Sequence, residues 1–387
     1  MMLPEECQEE PGYPFSASRF QYELLSNLHS IYVDSITSIC PIPTLPYPEG
    51  RFLVFRRRDR LSSTGIRIIS PVFLNWGLLK VMSLVFSVFL TSLITMRKKP
   101  KPQLIMLYNP YLGYSLPALL LSRLWRIPAI CIVADMPPET TWTLRGFVRQ
   151  VEAHLQRQVV SLFDGLLTFS IYVAKDLNYN KPFIRIDPGI QESDFEDSQG
   201  SQNIDHEHAL LFSGVLSERN GLKLLLDAFA QVRDSSLHLW ISGRGEMRPY
   251  VEDAIKHDPR ICFWGFVERS ELLKIMQRST VLVNPRPAGL PEHRYNFPSK
   301  IIEYLAVGRP VISTASSDVA QEYGNYLILL DEETPQKFAQ LIEAVFTKSE
   351  PELDLIGSRG RQYVLAEKNW HVLSRRVYDF LISILEI

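Results

Sequence analysis

Short runs of consecutive apolar residues alternate along this chain with longer stretches in which apolar positions recur at helical spacing. In the first half, Gln103–Asn109, Ala129–Ala134, Gly165–Ser170 and Phe183–Asp187 predict strands, with helices at Tyr114–Trp125 and Phe147–Leu162 between them. Strands that are apolar throughout and separated by helices imply a parallel sheet covered on both faces. The second half repeats the pattern, with strands expected at Ala209–Phe212, Leu237–Ile241, Ile261–Trp264, Val281–Asn284, Val311–Thr314 and Leu327–Leu330. Between the first two of these, Leu222, Leu225, Leu226 and Phe229 fall on one face of a helix. The polar, acidic segment Gln191–His208 reads as a linker.

The expected fold class is therefore α/β, with two Rossmann-like, doubly wound parallel-sheet domains. The first runs over 1–190, a linker covers 191–208, the second domain covers 209–365, and a helix over 366–387 closes the chain. That helix is amphipathic from Asn369 and is expected to cross back to the first domain, by analogy with other two-lobed enzymes. Ligands of doubly wound sheets bind at the carboxyl ends of the strands, so the loops after the strands should line a cleft between the domains. One strand is missing from the pattern: Met1–Ser18 leads almost directly into a helix at Arg19–Leu28, with no apolar run and glycine loop before it.

Composition narrows the class. Over 387 residues the 41 basic and 43 acidic side chains nearly cancel, so no bulk field points to nucleic acid. Cys7, Cys40, Cys131 and Cys262 are scattered, without a metal-ligand spacing or a disulfide framework, which favours a reducing cytoplasm. Met1–Glu10 is acidic and polar, unlike a secretory leader. Trp76–Met96 resembles a membrane segment, but its uncharged part, from Val81, runs only about 16 residues against the roughly 20 that span a bilayer. A helix buried against a sheet is the first reading, and a helix lying in the membrane plane the second. Basic clusters at Arg56-Arg57-Arg58 with Arg60, and from Arg97 to Lys101, are solvated faces or points of contact with an anionic membrane.

The densest chemistry lies in Asn284–Thr314, NPRPAGLPEHRYNFPSKIIEYLAVGRPVIST. A strand ends at Asn284, a loop with Arg286 and His293 follows, and a helix begins near Pro298-Ser299. Proline suits the first turn of a helix, where its missing N–H is not needed. The N–H groups of that turn, with the Ser299 hydroxyl and Lys300, form a site for a diphosphate. One turn on, Glu303 offers a carboxylate to the two hydroxyls of a ribose. The remaining histidines form no pair, and His154 and His257 read as helix-surface residues.

NFPSKIIEYLAVGRPVI resembles the donor-site segment of retaining glycosyltransferases of the GT-B fold, glycosyltransferase family 4. Leu210–Phe229, Leu237–Met247 and Ile261–Arg286 fit the same family in order and spacing, so the likeness covers Ala209–Leu330. VADMPPE, Val133–Glu139, is similar to a stretch of relatives that build surface polysaccharides.

The resemblance implies a metal-independent hexosyltransferase that needs no cofactor. It would take a nucleoside diphosphate sugar as donor and a glycan or lipid-linked acceptor, and work in the cytoplasm or peripherally on the inner face of a membrane. It places Glu303 at the ribose, with Ser299, Lys300 and Ile301 bordering the diphosphate and Phe297 and Pro298 among the donor-site residues. It places Gly214 where the backbone passes close to the donor phosphates, and Gly243 and Gly245 in a similar steric part after the next strand. Asn220 and Arg286 complete the implied donor set. Lys300 first, then Arg219, would stabilise the charge of the departing diphosphate. Asp135, after a buried strand of the first domain, is a candidate catalytic carboxylate or a cap for the turn before Pro137-Pro138.

The chain departs from the family pattern at Tyr295, where the first glutamate of a paired motif would stand, with Glu292 close but out of register. It departs again at Val215 and Asn220, where an arginine and a lysine are usual. A non-catalytic relative, or a partner subunit of another transferase, is the alternative reading. A nicotinamide-dependent dehydrogenase fits poorly, because Arg248 stands where the G-x-G-x-x-G fingerprint needs its third glycine.

Overall fold

The computed structural model describes residues 15–42, 44–97, 100–136, 144–199 and 206–386. The chain divides into two compact units, one made of the residues up to Ile186 together with Trp370–Ile387, the other of Asp187–Asn369.

In the first unit, strands β1 (Thr37–Ile39), β2 (Val54–Phe55), β3 (Arg58–Leu61), β4 (Arg67–Ser70) and β5 (Phe73–Leu74) form two small sheets. The first has the order β1-β4-β3, and β2 pairs antiparallel with β5. None of these pieces is predicted from the sequence. They are two to four residues long, and β3 reads RDRL, so neither apolar run nor alternation marks them. The main sheet is the expected one: β6 (Ile105–Tyr108), β7 (Ala129–Val133), β8 (Gly165–Thr168) and β9 (Phe183–Arg185) run parallel in that order. Every residue of β7 is buried. The last helix, Trp370–Leu385, packs on the first, Phe15–Ile31, and the Phe20 ring lies 5.7 Å from Trp370 and 4.9 Å from Phe169.

The helix expected to be buried is not. Gly77–Met96 packs against β5 and the helix Leu112–Trp125, yet only 28% of its Leu79–Met96 window is buried. Leu84, Val88 and Met96 point inward, whereas Met82 and Phe86 are 68% and 65% exposed. The sequence is apolar all round, so periodicity could not tell which face the fold would cover.

The second unit is built on a six-stranded parallel sheet, from β10 (Glu207–Val215), β11 (His238–Arg244), β12 (Ile261–Gly265), β13 (Ser279–Asn284), β14 (Val311–Ser313) and β15 (Ile328–Leu329). The strand order is β12-β11-β10-β13-β14-β15, so the winding direction reverses between β10 and β13. Leu222, Leu225 and Phe229 of the Leu222–Phe229 helix are fully buried against this sheet, as their spacing predicts.

The segment expected as a linker begins inside this unit. Glu192–Gln199 forms a 3₁₀ helix, Phe195 is buried, and the Phe195 carbonyl accepts from Arg361 at 2.8 Å. Glu207 and His208 already belong to β10, and 200–205 lie outside the described residues. The two ends of the unit are joined by a bond from the Ile190 N–H to the Lys368 carbonyl at 2.9 Å and by the buried Lys368–Asp187 ion pair at 2.7 Å. The polar, acidic composition of 191–208 hides this packing, because among the described residues its buried side chain is Phe195.

Candidate functional site

The reversal between β10 and β13 brings their following loops side by side at the carboxyl edge of the sheet, where doubly wound folds bind ligands. After β13 come a 3₁₀ turn, Pro291–Arg294, and the helix Lys300–Val307, which stops at Gly308 in the left-handed conformation. Pro298 and Phe297 are buried, the latter 5.3 Å from the Tyr323 ring, so they seat the turn from below. Ser299 caps the helix with its side chain exposed and no bond to the cap. Of the N–H groups expected for an anion, that of Ile301 is taken by the Pro298 carbonyl at 3.0 Å and that of Ile302 by Ser299 at 3.2 Å. The helix opens with a 3₁₀-like turn, and its N-terminal cradle is smaller than the sequence implied.

Glu303 stands at the centre. Its Oε2 accepts from Lys300 Nζ at 2.9 Å and its Oε1 from Arg269 Nη1 at 2.6 Å. Arg269 opens the helix Arg269–Arg278 after β12, and its other nitrogen reaches Asp194 at 3.1 Å. Burial alone would make Glu303 hard to ionise, but the two cations overcome it and bring its pKa down to about 2. Burial likewise opposes the Lys300 ammonium, yet the Glu303 carboxylate beside it raises its pKa above the usual value. Both groups are therefore charged at neutral pH.

Tyr304, next on the same helix, is buried and spans to β10. Its hydroxyl accepts from the Ser213 N–H at 3.0 Å and donates to the Ser213 carbonyl at 2.9 Å. This ties the helix to the end of β10, next to Gly214. In the sequence Tyr304 reads only as part of an apolar helix end. Arg269 and Asp194 were also missed, and no local signal marks them, since they lie 34 and 109 positions from Glu303 in the chain.

The loop after β10 closes on itself. Ser217 Oγ accepts from the Asn220 N–H at 3.3 Å, and the Asn220 amide donates to the Val215 carbonyl at 2.9 Å. Asn220 thus shapes the loop, while Arg219 projects from it and meets Glu292 at 3.1 Å. Glu292 comes from the turn after β13, so this pair bridges the two loops of the reversal. Arg286 is bonded to Asn296 within the same loop. His293 is buried, with Nδ1 2.6 Å from the Pro287 carbonyl; burial and the nearby Arg286 lower its pKa, so it braces the loop as a neutral ring.

Gly243 and Gly245 have a reason other than the one the resemblance implied. A Cβ on Gly243 would lie 1.8 Å from the Gly214 carbonyl oxygen, and one on Gly245 2.3 Å from that of Leu216. The close approach that demands glycine is of backbone to backbone, between the ends of β10 and β11. A Cβ on Gly214 would meet only Phe212 at 3.8 Å.

Lys300, Glu303, Ser299, Arg219, Asn220, Gly214, Gly243, Gly245, Arg286, Phe297 and Pro298 all belong to the second unit. Asp135 belongs to the first, at the end of β7, with its N–H 3.3 Å from Asn109 Oδ1. Burial, and secondarily the Asp135 carboxylate, raises the pKa values of the Tyr108 and Tyr111 phenols. Of VADMPPE, Pro137–Glu139 lie outside the described residues.

Residues 207–348 match the family of glycosyl transferases group 1. No curated protein matches the chain. Among solved structures, the sucrose-phosphate synthase of Thermosynechococcus elongatus is similar over 95% of this chain and 93% of its own, with a TM-score of 0.70 and 16% identity. Anabaena HepE in complex with UDP-glucose is similar over 97% and 98%, with a TM-score of 0.66 and 17% identity. A trehalose-6-phosphate synthase, OtsA, is similar over 99% and 96%, with a TM-score of 0.67 and 10% identity. The chain thus adopts the GT-B fold and carries, over residues 207–348, a glycosyl transferases group 1 domain.

Proposed function

We propose that this protein moves a hexosyl unit from a nucleoside diphosphate sugar to a glycan or lipid-linked acceptor, with retention and without a metal, in polysaccharide assembly. The observation that carries the reading is the ionised Glu303 carboxylate, held between Lys300 and Arg269 at the reversal of the sheet. An ionised carboxylate there accepts both hydroxyls of a ribose. The diphosphate would then lie over the start of the helix, against Ser299 and Lys300. As the sugar leaves, negative charge grows on the diphosphate, and fixed cations stabilise that charge more than they stabilise the bound donor. Lys300 would supply one such cation. Arg219 would serve on exchanging Glu292 for phosphate oxygens, and Asn220 and Arg286 hold the surrounding loops. Asp135 is the proposed carboxylate of the acceptor side. That HepE was obtained with UDP-glucose supports a nucleotide sugar as the donor class.

Calorimetric titration with UDP, GDP, ADP, dTDP and CDP, with chelator present, tests the donor site. One nucleotide should bind, and Glu303→Gln should weaken it at least tenfold. Release of sugar onto an acceptor glycan, with the product's anomer read by NMR, tests transfer and retention. Binding without turnover over a broad acceptor panel would favour the non-catalytic alternative, and no binding would end the donor reading.

A second proposal, of peripheral contact with an anionic membrane, rests on the first unit. On the Gly77–Met96 helix, Leu79, Met82, Phe86, Leu90 and Ile94 are exposed at helical spacing, and the stripe ends at exposed Arg97. The neighbouring helix adds exposed Leu116, Leu120 and Leu124, followed by Arg126. Such a face suits the boundary between headgroups and acyl chains, and each basic residue there contributes about 1 kcal/mol. Cosedimentation with phosphatidylglycerol vesicles, absent with phosphatidylcholine alone and lost in Phe86→Glu, is the expected result.

A further inference from the structure

Strand β6 ends at Tyr108, and the chain leaves the sheet at Asn109, which adopts the left-handed conformation, φ 57°, immediately before Pro110. Few side chains accept a positive φ, and a residue before proline is held to extended backbone at negative φ. Asn109 is therefore kept in an unfavourable conformation by its surroundings, a condition that clusters at functional sites. It is buried, and its N–H donates to the Ile132 carbonyl at 2.8 Å, closing the β6–β7 ladder. Its Oδ1 accepts from the N–H groups of Ala134 at 2.9 Å and Asp135 at 3.3 Å. Where β6 has turned away, a side-chain oxygen thus takes over from the strand in fixing the end of β7.

Those two N–H groups belong to the turn that presents Asp135. Ala134 and Met136 are buried and Asp135 between them is exposed, so the Asn109 oxygen fixes the backbone from which the carboxylate projects. Tyr111, half exposed, follows two residues after Asn109, and its N–H donates to the Asn109 carbonyl at 2.9 Å. Partial burial raises the Tyr111 phenol pKa, the Asp135 carboxylate raises it further, and the Asn109 amide opposes them. A carboxylate and a phenol side by side at the carboxyl edge of a parallel sheet suit a hydroxylated ligand.

We propose that Asn109 is a positioning residue for transfer: its Oδ1 sets the backbone of Asp135 and so aims that carboxylate at the acceptor hydroxyl. This deepens the reading of Asp135 as the carboxylate of the acceptor side and rests on it. Asn109 touches no reacting atom and acts through Asp135. The left-handed turn is what brings its short side chain back onto the neighbouring strand.

Steady-state transfer kinetics test this, with the nucleotide sugar and acceptor glycan that wild type uses. The variants are Asn109→Gly, Asn109→Asp, Asp135→Asn and the double variant of Asn109→Gly with Asp135→Asn. Glycine accepts the left-handed backbone and removes the oxygen, whereas aspartate keeps an oxygen that accepts from both N–H groups. A misplacement of about 1 Å can cost a hundredfold in rate, so Asn109→Gly should lower kcat about tenfold or more. Asn109→Asp should stay within about threefold of wild type, and nucleotide affinity by calorimetric titration should stay within about twofold in both. Because Asn109 acts through Asp135, the double variant should be no slower than Asp135→Asn alone. If the two losses multiply, if Asn109→Gly turns over like wild type, or if Asn109→Gly loses nucleotide affinity along with kcat, Asn109 does not position Asp135, and the reading of Asp135 stands. If Asp135→Asn turns over like wild type, or wild type transfers sugar to no acceptor, that reading has itself failed and the positioning role falls with it.

Discussion

Arg269 Nη1 donates to Glu303 Oε1 at 2.6 Å, while its other terminal nitrogen holds Asp194 at 3.1 Å. One guanidinium thus fixes the carboxylate assigned to the ribose and pins the 3₁₀ helix at the start of the second unit. Arg269→Ala should therefore act twice. Because the pair is partly exposed, the loss in stability should be only about 1 kcal/mol. Nucleotide affinity should fall more, since Glu303 loses one of the two cations that keep it oriented. Paired denaturation and titration measurements separate the two effects.

The charge state of Glu303 sets a pH window. Its folded pKa, about 2, lies below the value of 4.5 for the free side chain. Its contribution to stability is then fully present above about pH 4.5 and is lost as pH falls through the folded value. The difference in unfolding free energy between wild type and Glu303→Gln should be flat from neutral pH down to about 4.5 and shrink below that. A difference that already shrinks between pH 7 and pH 5 would mean the carboxylate is not held by the two cations.

Tyr304→Phe removes one hydroxyl and leaves the Ser213 N–H and carbonyl, both buried, without that partner. A stranded buried polar group costs about 1–3 kcal/mol, so the urea midpoint should fall with an unchanged slope. The end of β10 would also lose its anchor to the helix, and nucleotide affinity should drop with it.

Glycine substitutions separate backbone contact from mere sequence motif. Gly243→Ala drives a methyl to within 1.8 Å of the Gly214 oxygen, whereas a Cβ on Gly289 would meet nothing within 4 Å. The first should destabilise by about 3 kcal/mol or more, or abolish soluble expression. The second should stay within about 0.5 kcal/mol of wild type.

Much of the architecture is legible from apolar runs. All ten main strands were placed to within a few residues, because a parallel sheet buried on both faces leaves a continuous apolar trace. The buried face of Leu222, Leu225 and Phe229 is equally local. The two small sheets of β1–β5 left no such trace, since edge pieces of two to four residues carry too little periodicity to register. The linker reading of 191–208 failed for a related reason: a polar segment held by Phe195 and Asp194 looks, locally, like one held by nothing.

By itself, the sequence determined the order of strands and helices, the candidacy of Lys300 and Glu303, and the position of the turn they share. These depend on neighbours in the chain, where spacing alone decides which side chains share a face. Tertiary structure decided which groups come together around them. Arg269 reaches Glu303, and Asp194 reaches Arg269, only because the β12 loop folds alongside β13's helix, and Gly243 must be glycine only because β11 ends against β10. The exposed stripe of Gly77–Met96 was decided there too, because burial belongs to what packs against a helix and not to the helix.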